Sequence, residues 1–294
     1  IFTVINNSNG KFDPKNKLEK IHNEMAFYYP HLHYKVLDLG CVGEISEKPK
    51  SEIFEKGGIN LLFQGNLFYK GKSVTDEEYI ISLYKRYKDL SFLRQLNGSF
   101  NFILYDNNKK LLFVVTDKYA SRPLYWYNKT NQFIVASEVK IIINALDKEQ
   151  PINWSAWGQY LTFRYTLSNN TFFKNINIVE PATIITYDLS RTGNSNKFLK
   201  IVKYWSYSEI LIDYKKFETE KIDEGVEVFK RTFSRLGELI LNKKTIIPLS
   251  GGYDSRGIVS GLAKFSRKKD FDTLTTLHPA GPEDAIVKMV VKKM

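Results

Sequence analysis

The residues best suited to chemistry form a glycine- and serine-rich turn near the end of the 294-residue chain. A short apolar run, 245–249, leads into the sequence SGGYDSR at 250–256, and an amphipathic segment follows at 257–264. This pattern predicts a strand, a turn and a helix start, the geometry in which backbone N–H groups bind an anion. Glycines let the backbone approach a ligand, and the two serines add hydroxyl donors. The turn therefore predicts an anion site; the alternative is an ordinary glycine turn between a strand and a helix.

Composition and charge describe the kind of protein that carries this turn. Hydrophobic residues make up 43% and charged residues 26% of the chain, as in soluble globular proteins. The net charge is +11, but the lysines are spread along the chain, which favours a solvated basic surface over dedicated nucleic-acid binding. The single cysteine, Cys41, excludes an internal disulfide and fits a reducing compartment. With no apolar run of roughly 18–20 residues and no basic leader, the sequence predicts a cytoplasmic protein.

The first part of the chain reads as strands with few helices between them. A capping box, Thr75 with Glu78, predicts a helix start at 75. The polar triplet at 64–66 is expected to end the strand at 59–63, and residues 67–69 continue the apolar run after it. A hairpin-like pattern surrounds Glu180-Pro181, and a loop is predicted at 191–197. This pattern indicates an antiparallel α+β domain over residues 1–206. The predicted strands are 2–5, 34–39, 41–45, 59–63, 98–105, 110–116, 123–127 and 132–136, and the predicted helices 17–28, 75–90, 139–146 and 154–163.

The pattern changes near residue 207. A long helix is predicted at 221–241, followed by the strand before the glycine turn, the helix after it, a second strand at 272–277 and a last helix from 283 onward. Alternation of strands and helices is typical of α/β domains, in which ligands bind at the carboxyl ends of parallel strands. The chain, with 294 residues, is also long enough for two domains that each bury a hydrophobic core. The sequence thus predicts a second domain over residues 207–294.

Motifs in both parts resemble one family. SGGYDS resembles the SGGxDS signature of the PP-loop ATP pyrophosphatases, and the segments ahead of it resemble the asparagine synthetase family in the correct order. NGSFNFILYD at 97–106 is similar to that family's LxGxFAFxxYD strand, TDKYASRPLYW at 116–126 to its ARDxxGxxPLYY hairpin, and 133–140 to FASExKAL. The resemblance covers nearly all of the chain. It implies an N-terminal-nucleophile-like α+β sandwich followed by the start of an α/β PP-loop domain.

Departures from the family concern its glutaminase chemistry. In the family, an N-terminal cysteine attacks glutamine while its own α-amine serves as base. This chain starts at Ile1, just inside what resembles the family's first strand, so either the nucleophile is absent or a residue or two is missing upstream. Cys41 has no free α-amine and cannot replace it. We expect a domain that has lost glutaminase activity, as in the β-lactam synthetases and lasso-peptide cyclases.

The glutamine-binding residues implied by the resemblance are also altered. No RGPD segment occurs between residues 22 and 58, and Gln64-Gly65 stands where the family has an oxyanion-binding Asn-Gly. Asp76 resembles the aspartate that binds the glutamine amine, although an acid in the first turn of a helix also interacts favourably with the helix dipole. Gln64, Gly65 and Asp76 are therefore predicted to form a degenerate glutamine site.

For the second domain, the resemblance implies a cradle for ATP. Asp254 would position Mg²⁺ and is the implied catalytic residue. Arg256 has two interpretations, contact with a phosphate or a substrate carboxylate, or a place on the helix surface. Glu283 and Asp284 are either acids near the nucleotide or caps of the last helix. The implied cofactor-binding residues are Leu249, Ser250, Gly251, Gly252, Asp254, Ser255 and Arg256.

The resulting hypothesis is an ATP-dependent amide ligase that adenylates a small-molecule or peptide carboxylate for attack by an amine. Two alternatives stay open: a non-catalytic or split-subunit partner with a degenerate glutaminase fold, and a PP-loop tRNA-modifying enzyme. The latter would explain the positive charge, but such enzymes do not usually carry the hairpins at 97–126. Because the family's synthetase domain needs more strands than follow Ser250, we expect a fragment or one chain of a split enzyme. A complementary subunit or a homodimer is the expected partner, and nucleic acid and membrane are not.

Overall fold

A computed structural model describes residues 2–6, 13–26, 30–37, 40–46, 53–68, 74–129, 132–146, 149–190, 198–209, 219–241, 243–266, 270–275 and 282–293. The chain divides into two compact units, residues 1–210 and 211–294. Among the described residues, no helix combines the length and the apolarity needed to cross a membrane.

The first unit contains two six-stranded sheets. One sheet has the strand order β10-β8-β9-β1-β3-β2, and the other β12-β11-β7-β6-β5-β4. The strands are β1 (Phe2–Asn6), β2 (His31–Leu37), β3 (Gly40–Ser46), β4 (Ile53–Lys56), β5 (Ile59–Leu67), β6 (Gly98–Asp106), β7 (Leu111–Thr116), β8 (Tyr125–Lys129), β9 (Gln132–Ala136), β10 (Ile176–Ile178), β11 (Thr183–Asp188) and β12 (Leu199–Lys203). All pairings within these two sheets are antiparallel.

The α-helices described in the first unit are α1 (Pro14–Met25), α2 (Asp76–Tyr87), α3 (Val139–Ala145) and α4 (Trp154–Phe163). Helices α1 and α3 pack against the first sheet, and α2 packs against the second. The predicted capping box starts α2: Thr75 Oγ1 accepts a hydrogen bond from Glu78 N at 3.2 Å, and Thr75 N donates to the Glu78 carboxylate at 3.3 Å. Each bond gives a partner to a backbone N–H group that has none within the helix. That prediction is confirmed.

Strand alternation sorts the side chains into three cores. On β6, Phe100, Phe102 and Leu104 pack toward α2, while Ile103 and Tyr105 pack toward the other sheet. Successive residues of a strand point to opposite faces, so one strand serves two cores. A third core lies between the first sheet and helices α1 and α3. The result is the α+β sandwich predicted for this part of the chain.

The predicted strands differ from the structure in several places. The triplet 64–66 does not end its strand, because β5 pairs with β6 over its whole length, from Ile59 opposite Asp106 to Leu67 opposite Gly98. Strands β4 and β12 were not predicted, and both are edge strands that depend on a single neighbour. The hairpin around Glu180-Pro181 is wrong, since β10 and β11 belong to different sheets. The predicted loop at 191–197 and the end of the strand predicted at 272–277 lie outside the described residues.

The second unit alternates helices and strands. Its elements are α5 (Thr219–Ile240), β13 (Ile246–Pro248), α6 (Tyr253–Phe265), β14 (Asp272–Leu274) and α7 (Pro282–Lys293). β13 and β14 are parallel, with Ile246 opposite Asp272. Side chains of the helices and of the segment around β13 form one core, whose buried members are Phe233, Ile247, Leu249, Val259, Leu262, Phe271 and Val287. A strand–helix–strand arrangement with parallel strands is what the α/β pattern predicted.

Candidate functional site

The glycine–serine turn of the second unit follows β13 directly and ends where α6 begins. Leu249 N donates to Leu274 O at 2.9 Å, which extends the parallel pairing to the edge of the turn. The Leu249 side chain is only 3% exposed and belongs to the core. Of the residues predicted to bind a nucleotide, Leu249 therefore offers backbone atoms alone, whereas Ser250, Gly252 and Asp254 are exposed.

Two serine hydroxyls meet inside the turn. Ser250 Oγ and Ser255 Oγ lie 2.9 Å apart, and Ser250 N donates to Ser255 Oγ at 3.0 Å. Gly252 N donates to Ser250 Oγ at 3.3 Å, and Gly252 is the N-cap of α6 without a side-chain hydrogen bond to the helix. The first N–H groups of a helix need a partner from outside the helix. Ser255 Oγ also lies 3.1 Å from Ser250 O and 3.3 Å from Gly252 O, to either of which it can donate. Both hydroxyls thus lie at the positive end of α6, a position that suits an oxyanion.

The charged residues around the turn occupy distinct positions. The Glu283 carboxylate accepts a hydrogen bond from Gly251 N at 3.3 Å, and a Cβ at Gly251 would lie 2.9 Å from Glu283 Cγ. Arg256 Nε donates to Gly252 O at 3.2 Å, and its guanidinium lies 4.5 Å from the ring centroid of Tyr253. Arg256 therefore lies along the surface of α6, and Glu283 contacts the turn.

Asp254 is the residue of the turn that could serve as a carboxylate ligand for Mg²⁺. Within the described parts of the chain, no group of three or more His, Cys, Asp or Glu residues could hold a metal ion. Mg²⁺ in nucleotide sites is commonly held by one or two carboxylates together with substrate phosphates and water. Asp254, exposed in the first turn of α6, fits that kind of site.

In the first unit, Gln64 and Gly65 lie near the end of β5. Gly65 has φ +126°, and a Cβ there would lie 2.1 Å from the carbonyl oxygen of Ser99, so only glycine fits. The Asp76 carboxylate accepts a hydrogen bond from Leu67 N at 3.1 Å, which joins the start of α2 to the end of β5. The structure brings the three predicted residues to one end of β5 and gives Asp76 a contact with the backbone there.

Asn101 is a buried polar residue at this end of the sheet that the sequence reasoning missed. It is opposite Gln64 in the β5–β6 register, and its side chain is 0% exposed. Nδ2 donates to Arg122 O at 3.2 Å, while Oδ1 has no hydrogen-bond partner among the described residues. The signal was present, because Asn101 stands at the alanine of the LxGxFAFxxYD pattern.

Asp117 holds the hairpin between β7 and β8 against β6. It is 1% exposed, and its carboxylate accepts hydrogen bonds from Phe100 N at 3.0 Å, Tyr119 N at 2.8 Å and Ser121 N at 3.2 Å. Ser121 Oγ donates to the same carboxylate. Burial and, to a smaller extent, the charge of Asp117 raise the pKa of Tyr204, whose hydroxyl donates to Thr116 O at 2.9 Å. Asp117 thus positions the backbone on which Asn101 lies.

Comparisons with known proteins agree with the fold of the first unit. Residues 60–205 match the family model described as a glutamine amidotransferase domain. The chain is 26% identical over 242 residues to asparagine synthetase [glutamine-hydrolyzing] 2 of Bacillus subtilis (strain 168), covering 80% of this chain and 31% of that protein. It is 28% identical over 214 residues to a putative asparagine synthetase [glutamine-hydrolyzing] 2 of Methanocaldococcus jannaschii, covering 69% and 37%. Amidase chyE of Penicillium rubens is 30% identical over 205 residues, covering 66% and 27%.

The chain spans about a third of the length of the curated relatives it matches. Among solved structures, the glutamine phosphoribosylpyrophosphate amidotransferase of B. subtilis, complexed with ADP and GMP, aligns with a TM-score of 0.38 and 14% identity. That alignment covers 82% of this chain and 52% of the other. The predicted similarity to asparagine synthetases is confirmed, and residues 60–205 of the first unit are similar to glutamine amidotransferase domains. The PP-loop assignment of the second unit stays a prediction.

Proposed function

We propose that the protein of which this chain forms part is an ATP-dependent carbon–nitrogen ligase of the asparagine synthetase kind. The observation that carries the proposal is the pair of hydroxyls, Ser250 and Ser255, placed 2.9 Å apart at the uncapped start of α6, directly after a parallel strand. This arrangement suits the phosphates of a nucleotide. Similarity to asparagine synthetases supports the same reaction class.

The proposed reaction has two steps. An oxygen of the substrate carboxylate attacks the α-phosphorus of ATP, the bond from that phosphorus to the bridging oxygen breaks, and pyrophosphate leaves. An amine nitrogen then attacks the acyl carbon, AMP leaves with the electron pair of its C–O bond, and the nitrogen loses a proton to give the amide. The acid and the amine are small molecules or peptides.

Each residue of the turn has a role in this proposal. The Ser250 and Ser255 hydroxyls and the N–H groups at the start of α6 hold the leaving pyrophosphate, on which negative charge develops. Asp254 is the proposed ligand for Mg²⁺, which supplies charge neutralisation when bound. Arg256 stays on the surface of α6 because it stacks on Tyr253. Tyr253 and Arg256 are therefore proposed to shape the rim of the site.

The test is ATP binding and ATP–pyrophosphate exchange by the full-length protein with Mg²⁺ present. Asp254→Ala is expected to weaken Mg²⁺-ATP binding by about tenfold or more, which is a loss of about 1.4 kcal/mol. Asp223→Ala is the matched control, since Asp223 is an exposed aspartate of α5 in the same unit. Equal binding by the two variants would remove Asp254 from the site. Failure of the unsubstituted full-length protein to bind ATP would overturn the ligase proposal itself.

Glutamine hydrolysis by the first unit is a second candidate activity. The match of residues 60–205 to a glutamine amidotransferase domain favours it. Our prediction from the residues is the opposite, because Gln64 replaces the asparagine that would bind the oxyanion. Measuring glutamate release from glutamine by the full-length protein and by its Gln64→Asn variant distinguishes an active glutaminase from a degenerate one. Substantial release before substitution would show that the site is not degenerate.

A further inference from the structure

The edge strands of the two sheets face each other on one side of the first unit. β2 is the last strand of its sheet, and β4 is the last strand of the other. An ion pair between Lys35 on β2 and Glu55 on β4 connects them. Between these strands lies a cleft of about 440 Å³, which we call the edge cleft. It is lined by Leu32, His33, Tyr34, Lys35, Ile53 and Glu55.

One strand further in, a buried amide has no partner. Asn60 on β5 is opposite Glu55 in the register, so the two side chains share a face of the sheet. Asn60 is 3% exposed, and neither its amide nitrogen nor its amide oxygen has a hydrogen-bond partner in the described part of the chain. His33 Nε2, which belongs to a residue lining the cleft, is likewise buried without a partner. Buried polar groups in proteins are normally hydrogen-bonded, so each of these atoms needs a partner beyond the described residues, either water or a ligand.

The charges around the cleft define which ligand fits. An anion would meet the Glu55 carboxylate, and a cation would meet the Lys35 ammonium. Lys35 and Glu55 pair with each other and are both partly exposed. A zwitterion can replace that pair with two new ones and so leaves neither charge without a partner. An amide that is both donor and acceptor, like that of Asn60, pairs best with a group that also has both functions, such as a hydroxyl or an amide.

We propose that the edge cleft binds a zwitterionic amino acid with a polar side chain. Its carboxylate pairs with Lys35, its ammonium with Glu55, and its side-chain hydroxyl or amide with Asn60. His33 Nε2 supplies a further hydrogen bond to the ligand.

This site is separate from Gln64. Asn60 and Gln64 lie four residues apart on the same face of β5, a distance of about 13 Å along a strand. Leu62, which is 2% exposed and part of the core between the sheets, lies between them. The inference therefore does not depend on the proposed ligase activity or on the state of the glutamine site.

The test is calorimetric titration of the protein with four probes: serine, alanine, acetate and methylammonium. Serine is expected to bind more tightly than alanine, because only serine has a hydroxyl for Asn60. Both are expected to bind about tenfold more tightly than acetate or methylammonium, which carry one charge each. Acetate binding as tight as that of serine would mean a simple anion site and would overturn the proposal. No binding of serine would mean that Asn60 meets only water, with the same consequence.

Substitutions locate the site. Lys35→Met and Glu55→Gln are each expected to weaken serine binding by about tenfold or more. Lys203→Met is the control, since Lys203 forms an exposed ion pair with Glu180 and lies on β12, at the opposite edge of the sheet from β4. Asn60→Leu is expected to abolish the preference for serine over alanine and to raise the melting temperature of the ligand-free protein, because it replaces an unpaired amide with an apolar group. Serine binding that survives both charge substitutions would place the ligand elsewhere.

Discussion

Replacing Asp117 with asparagine tests whether one buried carboxylate holds the β7–β8 hairpin against β6. Three backbone N–H groups, from Phe100, Tyr119 and Ser121, donate to its two oxygens. An asparagine of the same shape keeps only one acceptor oxygen and directs an NH₂ group at donors that expect an acceptor. The substitution therefore changes the hydrogen bonding while leaving the volume of the side chain almost the same.

The size of the loss follows from the bonds. A hydrogen bond to a charged acceptor contributes about 1.5–3 kcal/mol and one to a neutral acceptor about 0.5–1.5 kcal/mol, so each bond that is kept weakens by about 1 kcal/mol. Asparagine can turn its oxygen toward Phe100 N, Ser121 N and Ser121 Oγ, which keeps three bonds and leaves Tyr119 N facing the NH₂ group. An unpaired donor costs about 1–3 kcal/mol when buried and less where water reaches it. We expect a decrease of about 3 kcal/mol in the free energy of unfolding.

Urea unfolding followed by tryptophan fluorescence measures this loss directly. All four tryptophans of the chain lie in the first unit, at positions 126, 154, 157 and 205. Asp89→Asn is the matched control: Asp89 also accepts a backbone hydrogen bond, from Ser91 N at 2.9 Å, but it is exposed. The control is expected to lose about 0.5 kcal/mol or less. If Asp117→Asn cost no more than the control, the carboxylate would not be what fixes the hairpin.

Three further predictions concern backbone strain, helix packing and pH. Ala120 has φ +48°, so Ala120→Gly is expected to raise the free energy of unfolding by about 0.5–1 kcal/mol in urea titrations; a decrease would contradict the strain. A Cβ at Gly261 would lie 2.6 Å from the Phe233 ring, whereas one at Gly257 on the same helix would meet nothing within 4 Å. Gly261→Ala is therefore expected to destabilise the second unit by about 1–3 kcal/mol, and Gly257→Ala to stabilise it by about 0.5–1 kcal/mol. Hydrogen exchange of the α6 amides measures both changes, and equal effects of the two substitutions would contradict the close packing of Gly261 against Phe233. Burial and a hydrogen bond to a carboxylate raise the pKa of Tyr84. Above about pH 10 the Tyr84 hydroxyl loses its proton in the unfolded chain but keeps it in the folded one, so the free energy of unfolding should fall with rising pH. Tyr84→Phe should make this fall less steep in urea unfolding at a series of pH values. An equally steep fall in the variant would contradict the prediction.

The elements that sequence reasoning located well are those specified by local chemistry. The α2 start follows from Thr75 and Glu78, which contact each other within one turn. β9 was predicted with the bounds that the structure has, Gln132–Ala136, because its apolar run is bounded by polar residues on the N-terminal side and by Ser137 on the other. Local hydrogen-bonding partners and turn residues act on the same segment that contains them.

The elements that were missed or misread depend on distant partners. β12 is mostly exposed and gains its strand conformation by pairing with β11. Around Glu180-Pro181 the chain passes from one sheet to the other: Val179 N donates to Leu124 O at 2.7 Å, and Ala182 N donates to Asp117 O at 2.8 Å. A turn signal shows that the chain reverses but not which strand will be its neighbour, so a change of sheet and a hairpin look alike in the sequence.

In the candidate anion site, too, the local part was predicted from the sequence and a distant contact was not. That contact, between Gly251 and Glu283, involves the N–H groups that would bind an anion. The sequence identified the turn, but it left the position of Glu283 open, 32 residues beyond Gly251. In the structure, the Glu283 carboxylate accepts the Gly251 N–H, so an oxyanion of the protein itself is already bound to the turn. A carboxylate oxygen there stands in for a phosphate oxygen, since both accept hydrogen bonds from backbone N–H groups at a helix start. A bound phosphate at that N–H would have to displace Glu283, because two anions cannot share one donor without repulsion. The turn therefore donates a hydrogen bond to an oxyanion of the protein itself, and Glu283 is the residue that a phosphate bound at this N–H would have to displace.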